Sequence, residues 1–316
     1  MRFALTEDQT ALRDAVRAPL AAADWPALAE MGLFGAMTDL GLDETDLAPV
    51  LEEIGFATVA LPVTATAFVA VPLLAALGDE RASAAAGGRL RVAVAGPGGI
   101  TPFGADADLI LHLGDGVARV GVAAAEASTV DTSLGAVLSV GGGILTDDRA
   151  LVEAAAARAA LGHAAELVGL GRRMLELTVG YVKQRHQFGA PVGSFQAVKH
   201  QLADAYLGLE FARPAVLAAA WALSASASAD AAVDAAVDAA VDVGAAVGAA
   251  VVLAAEAAHT ASRAAIQCHG AIGYTVEYEL HRYAKRAWAL AALAGPGDHL
   301  DALSETIGLP VAKELS

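Results

Sequence analysis

Cysteine and aromatic residues are scarce in this chain. Of its 316 residues one is a cysteine, Cys268, and 5% are aromatic. A single cysteine excludes an internal disulfide, so stability must come from buried apolar surface, and the length is enough for about two compact units. We expect Cys268 to be a small buried residue, and its isolation agrees with a reducing compartment.

Positive charge is also scarce. Lys and Arg number 20 against 36 Asp and Glu, which gives a net charge of −16. Such a chain repels polyphosphates at long range, so we expect no nucleic-acid partner. Apolar residues make up 56% of the chain, but about a quarter of all residues are alanine, which favours helix more than it favours lipid. The composition predicts a largely helical protein.

Common catalytic motifs are missing. The sequence contains no HExxH, no CxxC pair, no P-loop and no GxSxG, so the motifs that usually mark a metallohydrolase, a kinase or a serine esterase are absent. The tetrapeptide AAVD occurs three times in succession and places Asp234, Asp238 and Asp242 on successive turns of a predicted helix. Side chains on one helical face point outward together rather than converging, which favours a solvated stripe over a cation site. We therefore predict no metal site.

One uncharged segment, Ile54 to Gly78, is long enough to cross a bilayer. Pro62 and Pro72 interrupt it, and neither basic flanks nor an aromatic belt accompanies it, so we expect a buried pair of short helices joined at LPVTAT. The amino-terminal MRFALTEDQT carries acidic residues where a signal peptide has a basic and then an apolar region. We expect no membrane association and a cytoplasmic location.

The spacing of apolar residues changes twice along the chain. Helical spacing predominates to about Ala86, and β-branched runs with a Gly114-Asp115-Gly116 turn follow. Beyond Asp148 the pattern is again helical. The chain is thus predicted to be mainly α with an inserted small β domain: a helical domain at 1–87, a β domain at 88–148 and a helical domain at 149–316. In the last we expect helices at about 149–184, 194–224 and 229–269.

Two stretches concentrate basic, amide and glycine residues: KQRHQFGAPVGSFQAVKHQLAD from Lys183 and QCHGAIGYTVEYELHRYAKR from Gln267. Arg185 can offer a planar fork of donors to a phosphate, and Gln196 stands at a helix start beside unpaired backbone N–H groups. Glycines downstream of Gln267 let a ligand approach the backbone. Each pattern alone is common, because glycine pairs usually just make turns, but together they favour a site for a dinucleotide pyrophosphate.

These two stretches closely resemble segments of the acyl-CoA dehydrogenase family: the flavin-contacting segment and the QxxGGxGY segment of its carboxy-terminal helical domain. The resemblance implies a helix, β, helix fold ending in a four-helix bundle, and dehydrogenation of an acyl-CoA thioester between Cα and Cβ with FAD as the hydride acceptor. It also implies that the FAD held by a neighbouring subunit is contacted by Arg185, Gln187, Phe188, Gln196, Gln267, Gly270 and Gly273.

The chain departs from the family where the catalytic base is expected. The usual glutamate falls on Ala294, and the alternative position on the preceding long helix falls near Ala159. The nearest acids on that helix, Glu153 and Glu166, are about two turns away, and we expect both to be ordinary exposed residues. The β unit also lacks the family's flavin-binding stretch, of which GPGGITPFGADAD is the nearest remnant. No catalytic residue is therefore assigned in this chain.

The resemblance is best satisfied by a short, base-lacking subunit of a heteromeric α2β2 acyl-CoA dehydrogenase of the kind found in bacterial steroid side-chain degradation. A longer related partner would carry the glutamate, share FAD across the interface and bind the acyl-CoA, and an electron-transferring flavoprotein would accept the electrons. Two alternatives stay open: a homomeric flavin-dependent oxidoreductase or monooxygenase on the same fold, and a non-catalytic scaffold paralogue without flavin.

Overall fold

The computed structural model describes residues 3–227 and 242–309, and it is mainly helical with a small sheet between two helical regions. This is the predicted fold class. The helices are α1 (Glu7–Ala21), α2 (Trp25–Glu30), α3 (Glu44–Ala57), a π-helical turn (Ala65–Ala70), α4 (Val71–Ala76), α5 (Arg81–Ala86), α6 (Arg149–Gln184), α7 (Gln196–Ala227), α8 (Val243–His269), α9 (Leu280–Ala294) and α10 (Pro296–Thr306).

The amino-terminal helices begin at capping boxes. Thr6 accepts a hydrogen bond from the backbone N–H of Gln9, whose side chain accepts one from the Thr6 backbone, and Asp43 and Asp46 form the same reciprocal pair at the start of α3. Such caps satisfy the unpaired N–H groups of the first helical turn. They account for where the chain enters α1 and α3.

The sheet is built from β1 (Val92–Ala95), β2 (Ile100–Thr101), β3 (Leu109–Gly114), β4 (Val117–Glu126) and β5 (Val137–Thr146). Their order across the sheet is β1-β3-β4-β5-β2, with β1 parallel to β3 and the other pairs antiparallel. The predicted hairpin turn is confirmed, because Asp115 and Gly116, between β3 and β4, both have positive φ, as a two-residue type I′ connection requires.

The carboxy-terminal helices α6, α7, α8 and α9 pack together as a bundle around an alanine-rich core. The predicted helix 149–184 has the observed bounds, with Asp148 as its N-cap, and α7 begins two residues after the predicted start. The prediction for Asp242 was wrong. It does not continue an acidic helical stripe but caps α8, accepting a hydrogen bond from the Ala245 N–H. Asp234 and Asp238 lie outside the described residues.

The uncharged segment is buried, as predicted. It contains the end of α3, a break around LPVTAT, the π-helical turn and α4, and Phe68, Val71 and Leu74 are fully enclosed. Another stretch, Val243–Tyr274, is apolar and long enough to cross a membrane by length and composition. It consists of α8 and a following 3-10 turn, and core helices of soluble proteins pass the same test.

Helices α3 and α6 cross in backbone contact. A side chain added at Gly55 would overlap the carbonyl of Glu166, and one added at Gly169 would overlap the carbonyl of Glu52. Beside this crossing, Glu52 pairs with Arg172 and, at 3.0 Å, with Arg213. The crossing fixes the position of the middle of α6, which forms one wall of the cavity described below.

Candidate functional site

The two basic, glycine-containing stretches meet at one end of the bundle. Tyr181, one turn before the end of α6, stacks on His269 at the end of α8 with 4.3 Å between ring centroids, and Tyr278 lies 4.8 Å from the same imidazole. Near the start of α7, Gln201 Oε1 lies 4.0 Å from the Cys268 Sγ. Sequence reasoning placed the two stretches together only through a resemblance. The contact between Gln201 and Cys268 joins them directly, and the stacked rings join the end of α6 to the second stretch.

His269 is a core residue here. Its Nδ1 donates to the carbonyl oxygen of Ala265 at 2.8 Å, which leaves the buried Nε2 without a partner in the described part of the chain. Burial lowers the pKa of this imidazole below its usual value, so His269 is neutral at pH 7. A neutral ring between two tyrosines serves packing rather than anion binding.

The first stretch projects a turn from the bundle. After α6 ends, two short strands, β6 (His186–Gln187) and β7 (Ala190–Pro191), pair around a turn in which Phe188 and Gly189 have positive φ. The turn leaves the Phe188 ring 93% exposed, in edge contact with Phe195 at 6.3 Å. Apart from this contact with Phe195, the Phe188 ring is left to solvent, which is unusual for a large apolar side chain.

The polar residues predicted to hold the cofactor are free at this end. The side chains of Arg185, Gln187, Gln196 and Gln267 are exposed, and within residues 3–227 and 242–309 none of them has a hydrogen bond or ion pair. Gln196 is the first residue of α7, where backbone N–H groups lack helical partners and can bind an anion.

The predicted glycines differ in their surroundings. Gly270 has φ +65 and nothing within 4 Å of an added Cβ, so a ligand can approach the backbone there. Gly273 is buried, and an added Cβ would stand 3.0 Å from the His269 Cβ. We call Arg185, Gln187, Gln196, Gln267 and Gly270 the clamp. Gly273 supports the clamp through packing rather than through exposure.

An apolar strip along α7 adjoins the clamp. Phe195, Tyr206, Leu207 and Phe211 are all exposed, and Phe211 is 71% exposed. Phe188, which contacts Phe195, adds a further large apolar side chain to this surface. Several large apolar side chains left exposed in this way are typical of a protein interface.

A cavity of about 330 Å³ lies elsewhere, between α6, α9, the π-helical region and the sheet. Ala294 and Ala159, the two positions at which the family's base is expected, both line it. The remnant GPGGITPFGADAD contributes to the same wall. The rest of the lining is mostly aliphatic, from side chains such as Leu61, Val69, Val94, Leu290 and Leu293.

The expectation that Glu166 is an ordinary exposed residue was wrong. Glu166 is 7% exposed and lines the cavity, and its Oε1 accepts a hydrogen bond from the Thr64 hydroxyl at 2.5 Å. Burial raises the pKa of this carboxyl, although Thr64 and the charge of Arg286 act in the opposite direction. Glu153 is exposed, as predicted, and pairs with Arg149 at 2.7 Å.

His163 lines the same cavity one turn before Glu166. Removal from water lowers the pKa of its imidazole to about 4, so the ring is neutral at pH 7. Sequence reasoning did not single out His163. The available signal was the HxxE spacing on an otherwise apolar helix, since residues three apart share a face.

Comparison with known proteins identifies the chain. Residues 149–302 match the model of the acyl-CoA dehydrogenase C-terminal domain. Over 261 residues the chain is 33% identical to acyl-CoA dehydrogenase IpdE2 of Mycolicibacterium smegmatis, covering 81% of this chain and 76% of that protein. The chain belongs to the acyl-CoA dehydrogenase family. It is 38% identical to IpdE2 of Mycobacterium tuberculosis over 135 residues, which is 43% of this chain and 36% of that protein.

Solved structures show the acyl-CoA dehydrogenase fold over nearly the whole chain. A chain of the ChsE4–ChsE5 complex from Mycobacterium tuberculosis superimposes with a TM-score of 0.79 at 23% identity, covering 98% of this chain and all of that one. A structure described as PigA with FAD and proline matches with a TM-score of 0.76 at 17% identity. The fold is therefore one that accommodates FAD.

Proposed function

We propose that this chain is a subunit of an FAD-dependent acyl-CoA dehydrogenase that lends its clamp to the FAD of a longer partner chain and lacks a base of its own. The observation that carries the proposal is the clamp itself. It presents a free arginine, three free amides and an open glycine at one end of the bundle. Donors left unpaired in this way suit an anionic ligand that another chain supplies.

The clamp residues fit one part of FAD, its pyrophosphate. Arg185 can donate two hydrogen bonds to a phosphate, and the amino terminus of α7 at Gln196 adds backbone N–H groups. FAD, when bound, supplies the hydride acceptor at its flavin ring. The remainder of an FAD site is assigned to the partner, because this chain's β unit lacks the family's flavin-binding stretch.

The two alanines at the family's base positions support a dependent role. Removal of the α proton of a thioester needs a carboxylate close to that carbon, and both family positions for it, Ala294 and Ala159, hold methyl groups on the cavity wall. An alanine accepts no proton. The partner chain therefore provides the catalytic glutamate in this proposal.

The apolar strip of α7 supports a partner at the clamp. A second chain that packs here would bury the exposed side chains of the strip, from Phe188 to Phe211. A fold neighbour solved as the ChsE4–ChsE5 complex makes a related but non-identical chain the preferred partner. We further propose an α2β2 assembly, a steroid side-chain CoA ester as substrate, an electron-transferring flavoprotein as acceptor, and a cytoplasmic location.

Flavin occupancy of the co-expressed complex tests the proposal. Arg185→Ala removes a charge-assisted contact with the pyrophosphate, and we expect FAD affinity to fall by about 30- to 150-fold, which corresponds to roughly 2–3 kcal/mol. Gel-filtered complex should then lose its flavin absorbance while both chains still co-elute.

Arg149→Ala is the matched control. Arg149 is also exposed and lies at the opposite end of α6, where it pairs with Glu153. We expect this variant to keep its FAD. Unchanged flavin affinity in Arg185→Ala, measured by titration of the apo complex with FAD, would exclude the clamp as the flavin contact.

A further inference from the structure

The cavity is well separated from the clamp. Glu166 on its wall precedes Arg185 by 19 residues along α6, which places them about 28 Å apart along the helix axis. No clamp residue lines the cavity. A ligand in the cavity would therefore be held by this chain's own residues, without the partner's surface at the clamp.

The cavity has one polar side. Thr64, His163 and Glu166 carry the only polar side chains in its lining among the described residues, and the rest of the wall is aliphatic apart from Phe103. A pocket that is mostly apolar with a few placed polar groups is the usual form of a small-molecule site, and about 330 Å³ falls within the usual size range.

Atoms on this polar side remain available. Thr64 occupies Oε1 of Glu166, but Oε2 and both ring nitrogens of His163 have no hydrogen-bond partner in the described part of the chain. Unlike Nε2 of His269, these three atoms are not fully buried by the protein, so a small molecule in the cavity can reach them. Buried polar groups normally have partners, so a ligand with matching groups would complete this site.

The free polar atoms define what that ligand must offer. The Glu166 carboxyl accepts a hydrogen bond when ionised and can donate one when protonated, the form that burial favours, and the neutral imidazole of His163 offers one nitrogen as an acceptor and the other as a donor. A hydroxyl group both accepts and donates. It satisfies an acid and an imidazole on adjacent turns, whereas a ketone or an ether can only accept.

We propose that this cavity binds an apolar ring or branched aliphatic compound bearing a hydroxyl group, which hydrogen-bonds to Glu166 and His163. Ala294 and Ala159 stand where a base would be, so the ligand is bound without being dehydrogenated. The site goes beyond the proposed function, because it requires neither FAD nor the partner's glutamate.

Calorimetric titration of the full chain with decahydro-2-naphthol tests the proposal, with decahydronaphthalene as the comparison that lacks only the hydroxyl. We expect the alcohol to bind about tenfold more tightly, the preference that one buried hydrogen-bonding group provides. Equal affinity for the two probes, or binding of neither, would overturn it.

Substitutions at Glu166 and His163 test whether the preference for the alcohol over the hydrocarbon comes from the polar side of the cavity. Glu166→Leu should lower alcohol affinity about tenfold, to the level of decahydronaphthalene, whereas Glu166→Gln, which keeps a donor and an acceptor, should stay within about threefold. Because Glu166 adjoins the α3 crossing, His163→Leu gives the same test from a residue outside that crossing. A hydroxyl preference that survives both leucine variants in folded protein would contradict the assignment.

Glu153→Gln is the matched control on the same helix, since Glu153 is exposed, and it should bind both probes as wild type does. Ala159→Phe should block both probes equally by filling the cavity. None of these measurements uses FAD. Failure of the cavity proposal therefore leaves the Arg185→Ala test of the clamp untouched, and failure of the clamp leaves this one untouched.

Discussion

At the scale of single residues, Arg286 forms hydrogen bonds that connect the amino-terminal helices, the sheet region and the carboxy-terminal helices. Its Nε donates to Asp131 Oδ2 at 2.5 Å, Nη1 donates to the carbonyl of Val59 at 2.8 Å, and Nη2 donates to the Ser133 hydroxyl at 3.0 Å. Both charged side chains are buried. An arginine on α9 thus joins the end of α3 to the loop between β4 and β5.

Asp131→Asn tests the energetic weight of this pair. It leaves a buried guanidinium without its counter-charge, so we expect the free energy of unfolding to fall by about 3–5 kcal/mol in denaturant titrations at pH 7. The exposed pair gives the comparison, since Glu153→Gln should cost less than about 1 kcal/mol. Equal losses from the two variants would show that burial of Asp131 adds nothing.

Lowering the pH should reduce the difference in the free energy of unfolding between wild type and Asp131→Asn. Burial alone raises the pKa of Asp131, but Arg286 and Ser133 outweigh it, and the pKa is lowered overall. A lowered folded-state pKa stabilises the protein above the unfolded value, and that contribution is lost as the pH falls from about 4 through the folded pKa. The gap between wild type and Asp131→Asn should narrow over that range.

Individual site residues were predictable where their position depends on local order. Arg185 and Gln196 stand at the end of one helix and the start of the next, and their exposure follows from those ends. Glu166 was mispredicted because its burial depends on Thr64, which lies 102 positions away in sequence. Spacing along one helix does not show which of its faces another part of the chain covers.

At the scale of elements, the crossing of α3 and α6 determines how closely the amino-terminal region packs on the bundle. Gly55 and Gly169 allow backbone contact, and the arginines of α6 and α7 reach Glu52 beside it. Removing carbonyl oxygens from water is tolerated here because each stays within its own helical hydrogen-bond ladder. The glycines are therefore required for packing rather than for turns.

Gly169→Ala measures this requirement. The added methyl would overlap the Glu52 carbonyl, so we expect the helices to separate and the free energy of unfolding to fall by about 3 kcal/mol or more. Gly180→Ala on the same helix has nothing within 4 Å and should stabilise the protein by up to about 1 kcal/mol. Matched melting temperatures for the two variants would refute the close crossing.

Helix ends were predictable where a cap or a breaker marks them. Asp148 before α6 and the Asp115-Gly116 turn after β3 are local signals, and the structure has both. The start of α8 was misplaced because alanine-rich AAVD repeats contain no breaker, so nothing distinguished Asp242 as a cap from Asp234 and Asp238. Identical side chains in identical repeats carry no information on which one caps the start of the helix.

At the scale of the whole molecule, the residues that we propose to bind ligands lie at two distant places. The clamp and the apolar strip of α7 lie at one end of the bundle, and the cavity lies toward the sheet. The clamp has free donors but no covering wall, while the cavity has alanines at both positions where the family's base is expected. The chain can therefore have the family fold over nearly its whole length and still, in our proposal, need a second chain for activity.

Purification of the chain with and without its partner tests this dependence. Alone, the chain should be colourless or poorly soluble, because the strip at Phe188 and Phe211 stays exposed and half of each FAD site is absent. Co-expressed with a longer acyl-CoA dehydrogenase, it should elute as a yellow complex with one FAD per heterodimer. Light scattering and the flavin absorbance of the eluted peak give mass and stoichiometry together. A pure homomer carrying one FAD per chain would reject the proposed division of labour, since it would place a complete flavin site within copies of this chain alone.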